Sequence, residues 1–318
     1  MQLESIISNF RSKLLYYDHN FIDKHKINDL IVNARAKGND FYINYKDNII
    51  VKNIEDISKE YDNICKYCLN KYIILNLING SLGLLDKFPN IIRELFLERF
   101  SLIVDDIINN PEKPYDFASD IFRKDISICC LHMFPAGSHV VHEFGVGRIF
   151  IIRGGARQFL SSLAFYLFKM HKNYPYYHFH VDPRCLSEFT DEGRNKCFLR
   201  IAEMLRINKH VRGLIGASWY YDPVIDEISP RLSYLRKTPL SNGAKTYRYG
   251  ASESDINDAT ATSKNRKDLY LKGKYHPTCY ILIWLRDDLI RWADSNLNLL
   301  NSNRINETTS VKNGGFSD

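Results

Sequence analysis

Between Tyr176 and Tyr220 the hydrophobic pattern switches period twice, and that switch limits what this chain can fold into. Tyr176 to Val181 alternates every second residue, the period of a β-strand. Asp191 to Ile207 then places Cys197, Phe198, Ile201, Met204 and Leu205 on one side of a helix. Val211 to Tyr220 returns to small and apolar residues, as in a second strand. A strand, helix and strand within 45 residues of sequence require a sheet with helices packed on it.

Upstream, Ile126 to Phe134 is a dense apolar run, and Ser138 to Phe144 and Arg148 to Ile152 also read as strands. Phe159 to Met170 follows as a strongly apolar helix. Downstream, Ser229-Pro230 opens a short helix through Leu235, Lys245 to Tyr249 reads as a strand, and Glu253 to Leu271 as an exposed helix. Thr278 to Trp284 is a strand and Asp287 to Trp292 a closing helix. The fold class expected is α+β: a mixed, mostly antiparallel central sheet flanked by helices. Three regions are expected: a helix-rich N-terminal region over 1–120, an α/β domain over 121–296, and a disordered tail over 297–318, rich in Asn, Ser, Thr and Gly.

Within the first region, Ile6, Ile7, Phe10, Leu14 and Leu15 recur at helical spacing. Phe41–Tyr45 and Ile49–Val51 look like a small hairpin around Lys46-Asp47-Asn48. From Ile54 to Asn109 the pattern is helical, cut near Asn79-Gly80-Ser81 and Pro89-Asn90 into about three helices. These helices offer a surface for homo-oligomerisation, and a non-catalytic binding or assembly role built on them is one of three readings open at this point.

Charge narrows the partners. The formal net charge is +6, with Lys and Arg scattered among Asp and Glu, so the chain lacks the linear basic stripe of a nucleic-acid binder. No apolar run is long enough to span a bilayer, and no apolar signal segment follows Met1. A cytoplasmic protein is therefore expected. That fits seven Cys read as reduced core thiols, Cys65 and Cys68 of a C-x-x-C included. Asn306-Glu307-Thr308 matches a glycosylation acceptor but carries no weight without a secretory signal.

Four constellations have chemistry in them. In Arg153-Gly154-Gly155-Ala156-Arg157 two glycines precede a helix whose free amides favour an anion, and the guanidinium groups add charge. The competing reading is an ordinary tight turn. In Tyr177-His178-Phe179-His180-Val181-Asp182, strand alternation puts His178, His180 and Asp182 on one face and Phe179 and Val181 on the other. Two imidazoles and a carboxylate suit a divalent metal, or a His–Asp general base. The bland reading is a polar strand end. In Ser138-His139-Val140-Val141-His142-Glu143 the two histidines cannot share a face of a regular strand. One of them, with His142 or Glu143 the candidate, meets the His178/His180 row across the sheet. Finally, Gly216-Ala217-Ser218-Trp219-Tyr220-Tyr221-Asp222 suits a pocket floor and rim, with Tyr220 as a proton donor; aromatic core is the alternative. Arg231, Arg236, Lys237, Arg248, Lys264, Arg266 and Lys267 read as a solvated basic face.

A strand, a glycine loop with Arg, a helix, a strand, a helix and a strand, over about 147–221, is similar to the central part of GNAT-type N-acyltransferases. There the loop after the fourth strand binds the acyl-CoA pyrophosphate through backbone amides. The family pattern is Arg or Gln, two residues, Gly, one residue, then Gly or Ala; Arg153-Gly154-Gly155-Ala156 departs from it in spacing. The resemblance implies acyl-CoA at Arg153, Gly154, Gly155, Ala156 and Arg157. It also implies a small-molecule or peptide amine as acceptor, a base among His142, His178, His180 and Asp182, and Tyr220 as the acid toward the thiolate. The alternative is a metal-dependent hydrolase or non-haem iron oxygenase with a divalent metal on His178, His180 and Asp182.

Overall fold

The computed structural model describes residues 2–36, 38–170 and 174–298. The chain divides into two compact units, with the division after Pro135. Residues 299–318 of the expected tail, and the Asn306 acceptor with them, lie outside the described residues.

The first unit is built of helices α1 (Gln2–Tyr17), α2 (Phe21–Lys24), α3 (Ile27–Ala34), α4 (Ile49–Lys59), α5 (Asn63–Ser81), α6 (Asn90–Asn109) and α7 (Asp120–Cys129), and ends in a short strand, β1 (Met133–Pro135). The expected hairpin over 41–51 is absent. Asp40 gathers the backbone amides of Tyr42, Ile43 and Asn44 at 2.8–3.0 Å, which curls the first segment into turns. Asn48 accepts from the Ile50 amide at 2.8 Å and caps α4 where the second strand was expected. The Ile126–Phe134 run is divided: Ile126–Cys129 is the buried last turn of α7, and only Met133 and Phe134 enter a strand, since a short buried apolar run shows no period that separates helix from strand. Helix α7 is capped by Ser119 and stops before Leu131, whose φ of 60° no helix accommodates. Cys65 and Cys68 sit buried on α5 as free thiols, and burial pushes the Cys65 thiol up to about 12.

The second unit carries β2 (His139–Phe144), α8 (Phe150–Arg153), α9 (Ala156–Phe168), β3 (Tyr176–Val181), α10 (Asp191–Ile207), β4 (Gly213–Ser218), α11 (Ile225–Ile228), α12 (Tyr234–Ser241), β5 (Lys245–Gly250), α13 (Glu253–Ala261), α14 (Lys264–Leu271), β6 (Cys279–Leu285) and α15 (Arg286–Ser295). Its strands form one mixed sheet in the order β2-β3-β4-β6-β5, so the α+β class expected holds. β2/β3, β4/β6 and β6/β5 are antiparallel; β3/β4 is parallel, with α10 as its crossover.

One expected strand is a helix. Residues 148–152 give α8, whose Phe150 and Ile151 turn into a cluster with Tyr166, Tyr176, Ile215, Tyr247, Ile281 and Ile283. That cluster defines one face of the sheet, covered by α8 and α9. The opposite face holds Phe179, Leu214 and Trp284. Phe198 of α10 and Trp292 of α15 pack on it, with ring centroids 5.2–6.1 Å apart along Phe179–Phe198–Trp284–Trp292. The expected helix over 253–271 is two, broken at Thr262-Ser263, where Ser263 caps α14.

Gly193 lies in the first turn of α10, and a Cβ there would stand 2.0 Å from the Glu188 carbonyl oxygen. Both partners are backbone, so neither can yield cheaply. Gly193→Ala is expected to cost about 1–3 kcal/mol of stability. Gly147→Ala, with open space around it, should be close to neutral. Urea unfolding of the two variants checks the contrast.

Candidate functional site

Strand β3 positions the candidate residues by simple alternation. It pairs with β2 along its whole length, with His142 directly opposite His178 and Val140 opposite His180. Three imidazoles therefore meet on the α9 side of the sheet. His142 lies 5.6 Å from His178 and 5.0 Å from His180, ring centroid to centroid. Phe144 closes the row against both His142 and His178. The sequence expectation that one histidine of β2 joins the His178/His180 row is met by His142, not by His139.

Asp182 is held by a turn. It lies one residue beyond β3, buried, and its carboxylate accepts from the Arg184 amide at 3.0 Å as the cap of a short 3-10 turn. Glu143 points to the other face and pairs with His210 at 2.9 Å. The metal set His178, His180 and Asp182 is therefore not assembled. Among the described residues no group of three His, Cys, Asp or Glu side chains converges to hold a metal ion.

The electrostatics of His178 follow from its place. Burial, with His142 beside it, pushes its pKa down to about 3, against the opposing pull of a hydrogen bond with the Gly145 backbone. Near neutral pH its ring is uncharged and can accept a proton without first losing one.

The opposite face holds a polar cluster that the sequence did not reveal. Arg194, in the first turns of α10, is 1% exposed. It reaches Nε2 of His139 and donates to the Tyr221 hydroxyl at 2.5 Å. Its guanidinium stacks over Phe179 and Phe198, 4.5 and 5.0 Å from the ring centroids. A guanidinium only donates, so Nε2 of His139 accepts and Nδ1 carries the proton. That proton is donated to Ser138 Oγ at 2.8 Å. Burial raises the Tyr221 hydroxyl well above its usual range, so it stays protonated. Tyr220 borders this cluster, 4.7 Å from Tyr221 by ring centroids and 5.9 Å from the Arg194 guanidinium. Tyr220 and the three-imidazole row thus approach β3 and β4 from opposite faces. Arg194 carried no signal in sequence, since it stands among Asp, Glu, Asn and Lys at the start of an amphipathic helix. Arg266, expected on a solvated face, is also buried: it donates to the Ala259 carbonyl at 2.6 Å and stacks over Trp219.

The Arg153–Arg157 segment is exposed, but it joins helix to helix, not strand to helix. Both glycines have local reasons. Gly155 has φ 75°, open to glycine without strain, and a Cβ on Gly154 would collide with Gln158. The Gln158 amide caps the open edge of β5, donating to the Arg248 carbonyl at 3.0 Å and accepting from its amide at 2.7 Å. Arg153 stacks on Tyr249 at 5.0 Å. The turn thus sits at the β5 edge, separated from β3 by β4 and β6, about 14 Å at ~4.8 Å per strand. It does not lie beside the imidazoles.

No protein-family model matches this chain, and no curated protein matches it. Among solved structures it is similar to an acyltransferase determined in complex with decanoyl-CoA and teicoplanin, at 11% identity and a TM-score of 0.46, covering 85% of this chain and 80% of that one. No helix of the described residues is long and apolar enough to cross a membrane.

His178 is neutral in the folded chain down to about pH 3, whereas in the unfolded chain it titrates near pH 6.5. Between these values the unfolded state binds the extra proton, so His178 makes stability fall as pH falls, by up to about 1.4 kcal/mol per pH unit. Urea unfolding from pH 6.5 to 4 should show a shallower slope for His178→Asn than for the parent chain. Equal slopes would contradict the assignment.

Proposed function

We propose that the chain is an acyltransferase that moves an acyl group from acyl-CoA to an amine, with the reaction in the cleft between β3 and β4. One observation supports this most: the parallel pair is in register at Tyr177↔Leu214 and His178↔Ile215 only. Beyond His178, β3 continues against β2 alone and Gly216 to Ser218 of β4 continue against β6 alone. In this reading the two strands, no longer paired toward their carboxyl ends, take an extended pantetheine arm between them. The carboxyl ends of parallel strands are also where open α/β sheets bind ligands.

His180, the first imidazole past the last paired residue, is the base in this reading. It takes a proton from the acceptor amine as the nitrogen attacks the thioester carbonyl. Backbone amides freed by the parting strands hold the oxyanion. The carbon–sulfur bond breaks, and Tyr220, two residues beyond β4, gives its proton to the leaving thiolate. His142 and His178 orient the base from the same face. The Arg153–Arg157 turn, at the β5 edge, takes no part.

The reading predicts release of free CoA thiol when the full chain is mixed with acyl-CoA and a set of small-molecule and peptide amines. His180→Ala and Tyr220→Phe should each lower turnover by about 100-fold or more, while Arg153→Ala leaves it unchanged. No thiol release, together with no acyl-CoA binding by calorimetry, contradicts the proposal.

A further inference from the structure

Helix α9 is apolar on the side that faces away from the sheet. Its buried side carries Ser162 and Tyr166. Its outer side shows Phe159 38%, Leu160 73%, Leu167 37% and Phe168 74% exposed, with Ile152 of α8 at 65%. Ala156, Leu160, Ala164, Leu167 and Phe168 recur at spacings of three and four, save for the adjacent last pair, so they form one continuous stripe. A helix packed on one side by its own sheet normally turns charge to water on the other; here it turns leucine and phenylalanine.

The stretch of sequence that carries the stripe has charge of one sign. From Gly145 to Val181 there is no Asp or Glu, while Arg148, Arg153, Arg157, Lys169 and Lys172 contribute five positive charges. Arg153, Arg157 and Lys169 are exposed at the two ends of α9, and the neighbouring edge strand adds exposed Lys245. An exposed apolar stripe with cations at both ends is complementary to a bilayer interface rich in anionic headgroups. The leucine and phenylalanine side chains enter the acyl boundary while the arginines meet phosphate.

We propose that α8 and α9 form a membrane-interface element that seats this unit on anionic lipid without spanning the bilayer. The inference stands on exposure and charge and is independent of the acyltransferase reading. A second copy of the chain would also cover an apolar stripe, but two copies face to face would bring like charges together at both ends of α9.

Sedimentation of the full chain with vesicles tests this. It should co-sediment with vesicles of equal phosphatidylcholine and phosphatidylglycerol, and not with vesicles of phosphatidylcholine alone. Leu160→Glu/Phe168→Glu should abolish binding, and Arg157→Ala should weaken it about fivefold. Both variants alter exposed side chains, and circular dichroism confirms that they fold. No sedimentation with the anionic vesicles, or binding unaffected by Leu160→Glu/Phe168→Glu, overturns the proposal. So does a parent chain that elutes as a dimer and becomes a monomer in that double variant without ever binding vesicles.

Discussion

The second unit depends on how β3 is hydrogen-bonded. On one side all six of its residues pair with β2; on the other only two pair with β4. The full antiparallel ladder fixes the register, and the register decides the rest. It sets His142 opposite His178, puts His180 on the same face, and sends Phe179 through to the α10 side. A slip of one residue would exchange the two faces, burying the imidazoles among the rings that now surround Arg194.

The two faces solve different problems. The α9 side buries an apolar cluster and, at the β2–β3 end, a row of imidazoles of which His178 is kept neutral by lost solvent. The α10 side buries a guanidinium whose partners are an imidazole, a phenol and aromatic rings. Such a group stays charged because arginine gives up its proton at no accessible pH. Its surroundings must therefore be arranged to accept it, which fixes Tyr221, His139 and, through His139, Ser138. Gly216 belongs to the same arrangement: a Cβ there would stand 2.3 Å from the Phe179 ring that lies under the guanidinium.

What could be read from sequence and what could not divides along physical lines. β3, α10, β4, β5 and β6 were legible because each has a clear period and a turn signal at its ends. So was the shared face of His178 and His180, which follows from strand geometry alone. The 41–51 and 148–152 segments misled because short β-branched runs fit either state. Side chains decide between them: Asp40 and Asn48 draw the backbone into turns in one, and burial of Phe150 and Ile151 under α9 favours a helix in the other. The glycine pair was visible, but its cause was not, since Gln158 meets Arg248 across a separation of 90 positions in sequence. Asp182 fits the strand alternation on paper; the strand ends one residue earlier, and its carboxylate is used to cap a turn.

The central claim is that the parting of β3 from β4 is a ligand cleft. Hydrogen exchange of the full chain with and without a non-hydrolysable acyl-CoA thioether tests it most directly. The account predicts slowed exchange of the amides at 179–181 and 216–220, the residues where the two strands no longer pair. Unchanged exchange there at saturating ligand, or protection confined to the 153–157 turn, would contradict it.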